Sequence, residues 1–278
     1  MSTQIKYEKH ETILKVENVS LKLQNNLILR DINLEVKNIV RPGMTQGQVI
    51  GLLAPSGMGK TQFFEVLSGL KPPTTGQVLI DNPLRPVKVG QVGVVAQNYP
   101  LFPQYTIRGN LMLAAKRHKT DSEDLRTHKV DEMLNLFQIM DHADSYPALL
   151  SGGQRQRVAI AQQVLCSDHY LLMDEPFSGL DPLMIRKACD LITTIADRDD
   201  ANTIIVITHD IAAAATICDT LWILGHDKDA RGNNIPGATV KAVYDLIEIG
   251  IALRGPEVEY TPEFVQLVKE IKGLFAGL

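Results

Sequence analysis

Residues 48–61 constrain the fold more than any other part of the chain. The run Gln48-Val-Ile-Gly-Leu-Leu53 is short and mostly apolar, and it leads straight into Ala54-Pro-Ser-Gly-Met-Gly-Lys60-Thr61. Residues 61–70 then have helix-forming content until Lys71-Pro-Pro breaks it. A buried strand turning through glycines into a helix directs free backbone N–H groups at the turn. The turn comes close to the phosphate-cradling pattern G-x-x-x-x-G-K-[ST], with Ala54 in place of the first glycine.

The rest of the chain continues the alternation. Leu14, Val16, Val19, Leu21 and Leu23, then Leu27, Leu29, Ile32, Leu34 and Val36, flank Asn25-Asn26 and predict an antiparallel hairpin with one buried face. Strands are expected at 77–80 and 92–96. Helical spacing at 106–119 (Ile107, Leu111, Ala114) and 129–139 (Val130, Leu134, Phe137) predicts an inserted helical subdomain. A helix from Ser151, a strand at 170–173, a helix after Asp181-Pro182 and a β-branched strand at 203–207 complete an α/β pattern. Such alternation predicts a parallel, doubly wound sheet with its reactive groups at strand ends.

With 278 residues, 45% of them hydrophobic, the chain can build one large α/β unit or two modest domains. A net charge of −4 and the lack of a dense Lys/Arg run argue against nucleic acid as a partner. Cys166, Cys189 and Cys218 form no C-x-x-C pair and read as small buried hydrophobes, as suits a reducing compartment. The polar opening has no signal-like apolar core, and no stretch reaches the ~18 apolar residues of a membrane helix.

The candidate nucleotide-binding stretch is Ala54, Pro55, Ser56, Gly57, Met58, Gly59, Lys60, Thr61 and Gln62. Gly57 and Gly59 leave room for N–H groups to wrap the α- and β-phosphates, Lys60 reaches the β/γ-oxygens, and the Thr61 hydroxyl suits Mg²⁺. Alanine at 54 is harmless if its φ stays negative and costly if it must be positive. Asp174 and Glu175 end the apolar run Tyr170-Leu-Leu-Met, so Asp174 is placed to hold the Mg²⁺ shell and Glu175 to accept a hydrogen bond from the attacking water. A structural salt bridge is the competing reading of the two acids.

The order of these motifs, with Gln97 and Leu150-Ser151-Gly152-Gly153-Gln154 between them and His209 after, resembles the nucleotide-binding subunit of ABC transporters over residues 14–224. The resemblance implies a P-loop NTPase (RecA-like) core with an antiparallel β subdomain and a helical insert at about 98–156. It places an ABC ATPase domain at 12–228 and a mostly helical C-terminal extension at 229–278. It assigns Glu175 as general base, has Gln97 sense metal and water (so that Thr61, Gln97 and Asp174 form the metal set), and puts His209 on the γ-oxygen. Ser151, Gly152, Gly153 and Gln154 would meet a γ-phosphate held by a second subunit, although Ser151 also reads as a plain helix N-cap. The implied unit is a head-to-tail dimer sandwiching two ATP molecules, with Asp181 of Ser178-Gly-Leu-Asp181 in the loop between sites. A homodimer suffices, and Ala54 leaves a heterodimer with one degenerate site as the alternative.

Three departures stand out. Leu23 occupies the place where the family stacks an aromatic on adenine, with Tyr7 of the amino-terminal arm as a candidate substitute. Residues 38–47 lengthen a turn, which an extended hairpin explains. Residues 98–110, with Tyr99, Leu101, Phe102 and Tyr105, resemble the importer groove that receives a membrane subunit's coupling helix, against an internally packed Pro-rich loop as the alternative. The tail after Leu224 resembles nitrate, sulfonate and taurine importer ATPases. The expected partners are therefore transmembrane permease subunits with a substrate-binding protein, at the cytoplasmic face of the inner membrane. A soluble DNA-repair ATPase would carry a long coiled-coil insert and a translation factor two cassettes. A non-hydrolysing regulatory module would lack Glu175 or His209.

Overall fold

The computed structural model describes residues 7–43, 45–167, 169–252 and 256–278. The chain opens with the long antiparallel strands β1 (Glu8–Leu23) and β2 (Asn26–Val40), joined by a two-residue turn in which Gln24 has φ 54°. Leu23 faces Asn26, so the turn sits one residue earlier than the asparagine pair suggests. The alternation skips a residue between Val16 and Val19 because a bulge lies there. Asn18, at φ 49°, donates its N–H to the Asn33 side chain and lets the apolar face resume in phase. β2 runs on to Val40 opposite Glu8, so of the lengthened segment 38–47 only residues 38–40 extend the hairpin, and the described residues from 41 to 47 form a connection to the next strand.

After the hairpin come β3 (Gln48–Leu53), α1 (Lys60–Leu67), β4 (Thr75–Ile80), the two-residue β5 (Arg85–Pro86) and β6 (Gly93–Val95). The helical insert contains α2 (Ile107–Ala115) and α3 (Glu123–Leu136), with two 3-10 turns before α4 (Gly152–Cys166). α3 begins six residues before the expected 129. Ser122 caps it by accepting from Leu125 N–H, with Glu123 and Asp124 in the first turn, so capping and charge start this helix where apolar spacing is silent. The chain ends with β7 (Tyr170–Asp174), α5 (Pro182–Ala196), β8 (Thr203–Thr208), α6 (Ile211–Ile217), β9 (Thr220–Gly225), β10 (Thr239–Asp245), α7 (Leu246–Ile249) and α8 (Pro262–Gly277).

These strands form two sheets, an antiparallel one in the order β2-β1-β4-β5 and a larger one in the order β10-β9-β3-β8-β7-β6. The larger sheet is parallel except for β10, an antiparallel edge strand. After 228 the chain forms a loop, then adds β10 to the core sheet from Thr239, and helices follow. Side chains of β3 alternate between two apolar clusters. Ile50, Leu52 and Ala54 face the antiparallel sheet and α1, together with the buried Trp222. Val49 and Leu53 face the helical side, where Leu111, Ile192 and Leu267 pack. The central strand carrying the phosphate loop is thus gripped on both faces. At its start Asp219 accepts from Arg41 and from Val49 N–H, a fully buried ion pair that fixes β3 against β9.

Candidate functional site

The phosphate loop, Gln97, the acid pair and His209 all lie at or just beyond the carboxyl end of a strand in the larger sheet, whereas Ser151 to Gln154 and Asp181 lie at helix starts. The phosphate loop leaves β3, Gln97 follows β6, Asp174 closes β7 with Glu175 next, and His209 follows β8. Parallel register sets Leu53 beside Thr208, Met173 beside Val95 and Asp174 beside Ile207, so the four strand ends share one rim.

In the phosphate loop, Gly57 (φ 83°) and Gly59 (φ 76°) take the left-handed conformation that glycine adopts without strain. A Cβ on Gly57 would meet open space, whereas one on Gly59 would sit 2.8 Å from Cγ2 of Ile28 on the hairpin. The first glycine is therefore dispensable for room and the last is needed for packing. Ala54 keeps a negative φ and its methyl is fully buried in the core, so its replacement of glycine introduces no strain. Gly59 caps α1 with no side chain, which leaves the first N–H groups of that helix unclaimed by a cap. Lys60 Nζ donates to the carbonyls of Ala54 (2.8 Å) and Pro55 (3.4 Å), curling the ammonium back over the loop.

The two acids differ in role by their surroundings. Burial, and then the Glu175 charge, push the Asp174 carboxyl above its ordinary value, while Lys60 acts in the opposite direction. Glu175 has φ 50°, an unfavourable backbone conformation for a non-glycine residue, held by its N–H donating to Ile207 O at 2.7 Å. Its carboxylate contacts Lys60 at 3.6 Å, accepts from Thr208 Oγ1 at 3.2 Å, and meets His209 Nδ1 at 2.9 Å. Gln97 reaches from β6 toward Ser178, 3.4 Å away, just ahead of Asp181. Asp181 itself caps α5 by accepting from Met184 N–H at 3.0 Å.

Ser151 is a helix N-cap in a full capping box. Its Oγ accepts from Gln154 N–H (3.3 Å) and its N–H donates to Gln154 Oε1 (2.8 Å). Ser151 and Gly152 are nevertheless exposed, and a Cβ on Gly152 would meet nothing within 4 Å. The helix start is built as a cap and still presents its first turn outward.

Two expectations are corrected. Tyr7 does not stand in for Leu23 at the adenine end, because it lies beside Lys9 at the far end of a sixteen-residue strand, roughly 50 Å along β1 from Leu23. Leu23 itself is half-buried against the cluster that includes Ile28 and Met58. Of the four groove residues, Tyr99 and Leu101 pack half-buried on the core, and only Phe102 and Tyr105 are exposed, in an edge-on ring contact at 6.3 Å. The organiser of that loop is Asn110, which sequence reasoning missed. Fully buried, it bonds Phe102 N–H and the carbonyls of Phe102, Tyr105 and Thr106.

A glycine loop feeding a helix from the central strand, an acid pair on the next strand but one, and a histidine on the strand between define a P-loop nucleoside-triphosphate hydrolase. Residues 38–178 match the family described as ABC transporter. A probable sulfate/thiosulfate import ATP-binding protein, CysA, of Chlorella vulgaris is 35% identical over 77% of this chain and 87% of its own length. The spermidine/putrescine import ATP-binding protein PotA of Oleidesulfovibrio alaskensis is 34% identical over 78% of this chain, which spans 56% of that protein. Among solved structures, CbiO1 of Clostridium perfringens, part of the ABC transporter complex CbiONQ, matches with a TM-score of 0.71 at 24% identity, over 95% of this chain and 100% of that one. An ATP-binding cassette seen as a dimer in a post-hydrolysis state with ADP and Pi matches at 0.65 and 25% identity, over 84% and 99%. The chain belongs to the ABC transporter family and is an ATPase of that family.

Proposed function

We propose that this chain is the ATP-hydrolysing subunit of an importer, working as a head-to-tail dimer on the cytoplasmic face of the inner membrane with permease subunits and a substrate-binding protein. The observation that carries the reading is the outward-facing first turn of α4. An exposed helix start with free N–H groups is an anion site, and a γ-phosphate presented by a second subunit fits it. The import ATP-binding relatives and the dimeric cassette support the same assembly. Cargo differs between relatives of similar identity, in keeping with specificity residing in the other subunits.

Within each site, Gly57, Gly59 and the first turn of α1 cradle the phosphates, and Lys60 leaves its two carbonyls for the β/γ-oxygens. Thr61, Asp174 and Gln97 offer only hard oxygen donors, which suit Mg²⁺, and a desolvated Asp174 beside Glu175 is a group that a cation relieves. Bound there, Mg²⁺ supplies charge neutralisation at the phosphates. Glu175 orients the attacking water and His209, already paired with it, contacts the γ-oxygen.

A mixing experiment tests the composite site. Lys60→Ala and Ser151→Arg chains should each be inactive alone. Mixed, they should regain ATPase activity, because one of the two sites in a mixed dimer keeps an intact Lys60 opposite an intact Ser151. No recovery at any ratio rejects the head-to-tail arrangement.

A further inference from the structure

β2 is the edge strand of the antiparallel sheet and β10 the edge of the larger one. The loop between β9 and β10 crosses from one edge to the other. Ala238 N–H donates to Ile28 O (2.9 Å) and Arg30 N–H donates to Ala238 O (2.8 Å), adding a short parallel bridge to the open edge of β2. The approach is close enough to require glycine next door. Gly237 has φ 84°, and a Cβ there would lie 2.8 Å from the Arg30 Cβ. Asp227, at the root of the loop, pairs with both Arg30 on β2 and Lys241 on β10. The loop is also tied to itself, since Ile235 N–H donates to Asp227 O at 2.7 Å and Asp229 N–H to Asn233 O at 2.9 Å.

The contact lands where β2 meets the phosphate loop. Ile28, gripped on its carbonyl side by Ala238, presents its side chain to Gly59, the residue from which α1 starts. The same short stretch follows the turn from Leu23. We propose that the β9–β10 loop is a positioning strap for the nucleotide: Asp227, through Arg30 and Lys241, holds the hairpin edge against the Gly59 end of the phosphate loop and thereby sets ATP affinity. This rests on the proposed ATP-binding role of the phosphate loop, with the Leu23 turn as the base platform that the family resemblance implies.

The far end of the hairpin supplies a control. Lys9 makes the same kind of link, from β1 to Asp245 (2.6 Å) and Glu248 (2.8 Å) beside β10, but remote from Gly59. In Asp227→Ala the KM for ATP should rise roughly three- to tenfold with kcat within about twofold, the scale of two partly exposed ion pairs. Asp227→Glu should restore it. Gly237→Ala keeps every charge and displaces the strap sterically, so it should raise KM as well. Lys9→Ala should leave KM unchanged. An unaltered KM in both Asp227→Ala and Gly237→Ala, or an equal rise in Lys9→Ala, overturns the strap. If Leu23→Tyr changes ATP affinity in the same assay while the strap variants do not, the base platform stands and the strap alone falls.

Discussion

Glu175 is held from both sides: His209 Nδ1 lies 2.9 Å from one carboxylate oxygen and Lys60 Nζ 3.6 Å from the other. The pairing gives the half-buried carboxylate a cation in Lys60, the member that a phosphate would draw away. Replacing Glu175 with Gln keeps the shape and removes the charge proposed to orient the water. We expect ATP binding to persist, turnover to fall at least ~100-fold, the low end for a general base, and ATP to shift the protein to a dimer on size exclusion. Near-parental hydrolysis by Glu175→Gln would assign the water to another group.

The acid beside it has a pH-dependent stability signature. A carboxyl whose folded pKa lies above its unfolded value binds protons more tightly when folded, so stability is lost as pH rises through that interval. Asp174 is such a group, raised first by burial and then by Glu175. Asp174→Asn should therefore raise the Tm of nucleotide-free protein at neutral pH, by roughly 1–4 °C for a chain of this size, while abolishing Mg²⁺-dependent ATPase activity. The gain should shrink as pH falls toward the ordinary aspartate value and be gone below it. A Tm advantage independent of pH would mean that the neutral side chain packs better rather than that a charge was relieved.

The family resemblance puts Leu23 at the adenine end. An aromatic there adds base stacking of about 1 kcal/mol, a several-fold gain in affinity. Leu23→Tyr should tighten ATP binding by that factor in calorimetry and leave tripolyphosphate binding unaltered. Equal changes for both ligands would place the effect in the phosphate loop, since Leu23, Ile28 and Met58 pack against the same apolar cluster.

The strand ends were readable in sequence because apolar runs stop at the residues that do chemistry: Leu53 before Ala54, Met173 before Asp174, Ile207 before Thr208-His209. What periodicity missed was held by hydrogen bonds. Ser122 starts α3 through a cap, and Asn110 shapes the loop after Gln97 with four bonds, and neither leaves an apolar pattern. The strap was invisible for another reason: Arg30 and Asp227 lie 197 residues apart, and only the meeting of two sheet edges brings them together.

Docking on a membrane subunit should depend on the exposed pair in that loop. Phe102 and Tyr105 stand out from a segment whose backbone Asn110 clamps, while Tyr99 and Leu101 help fill the core. An amphipathic helix that buries a few aromatic anchors takes most of its binding energy from them. The exposed pair can therefore be changed without opening a cavity, whereas Tyr99 cannot. We expect the Phe102→Ser/Tyr105→Ser chain to keep the parental Tm and basal ATPase activity, yet to lose co-purification with permease subunits from detergent-solubilised membranes. Tyr99→Ser should instead lower Tm. Intact co-purification and transport in the double variant would move the docking surface elsewhere, and a loss of basal activity in it would show that the loop supports the site after Gln97 rather than a partner.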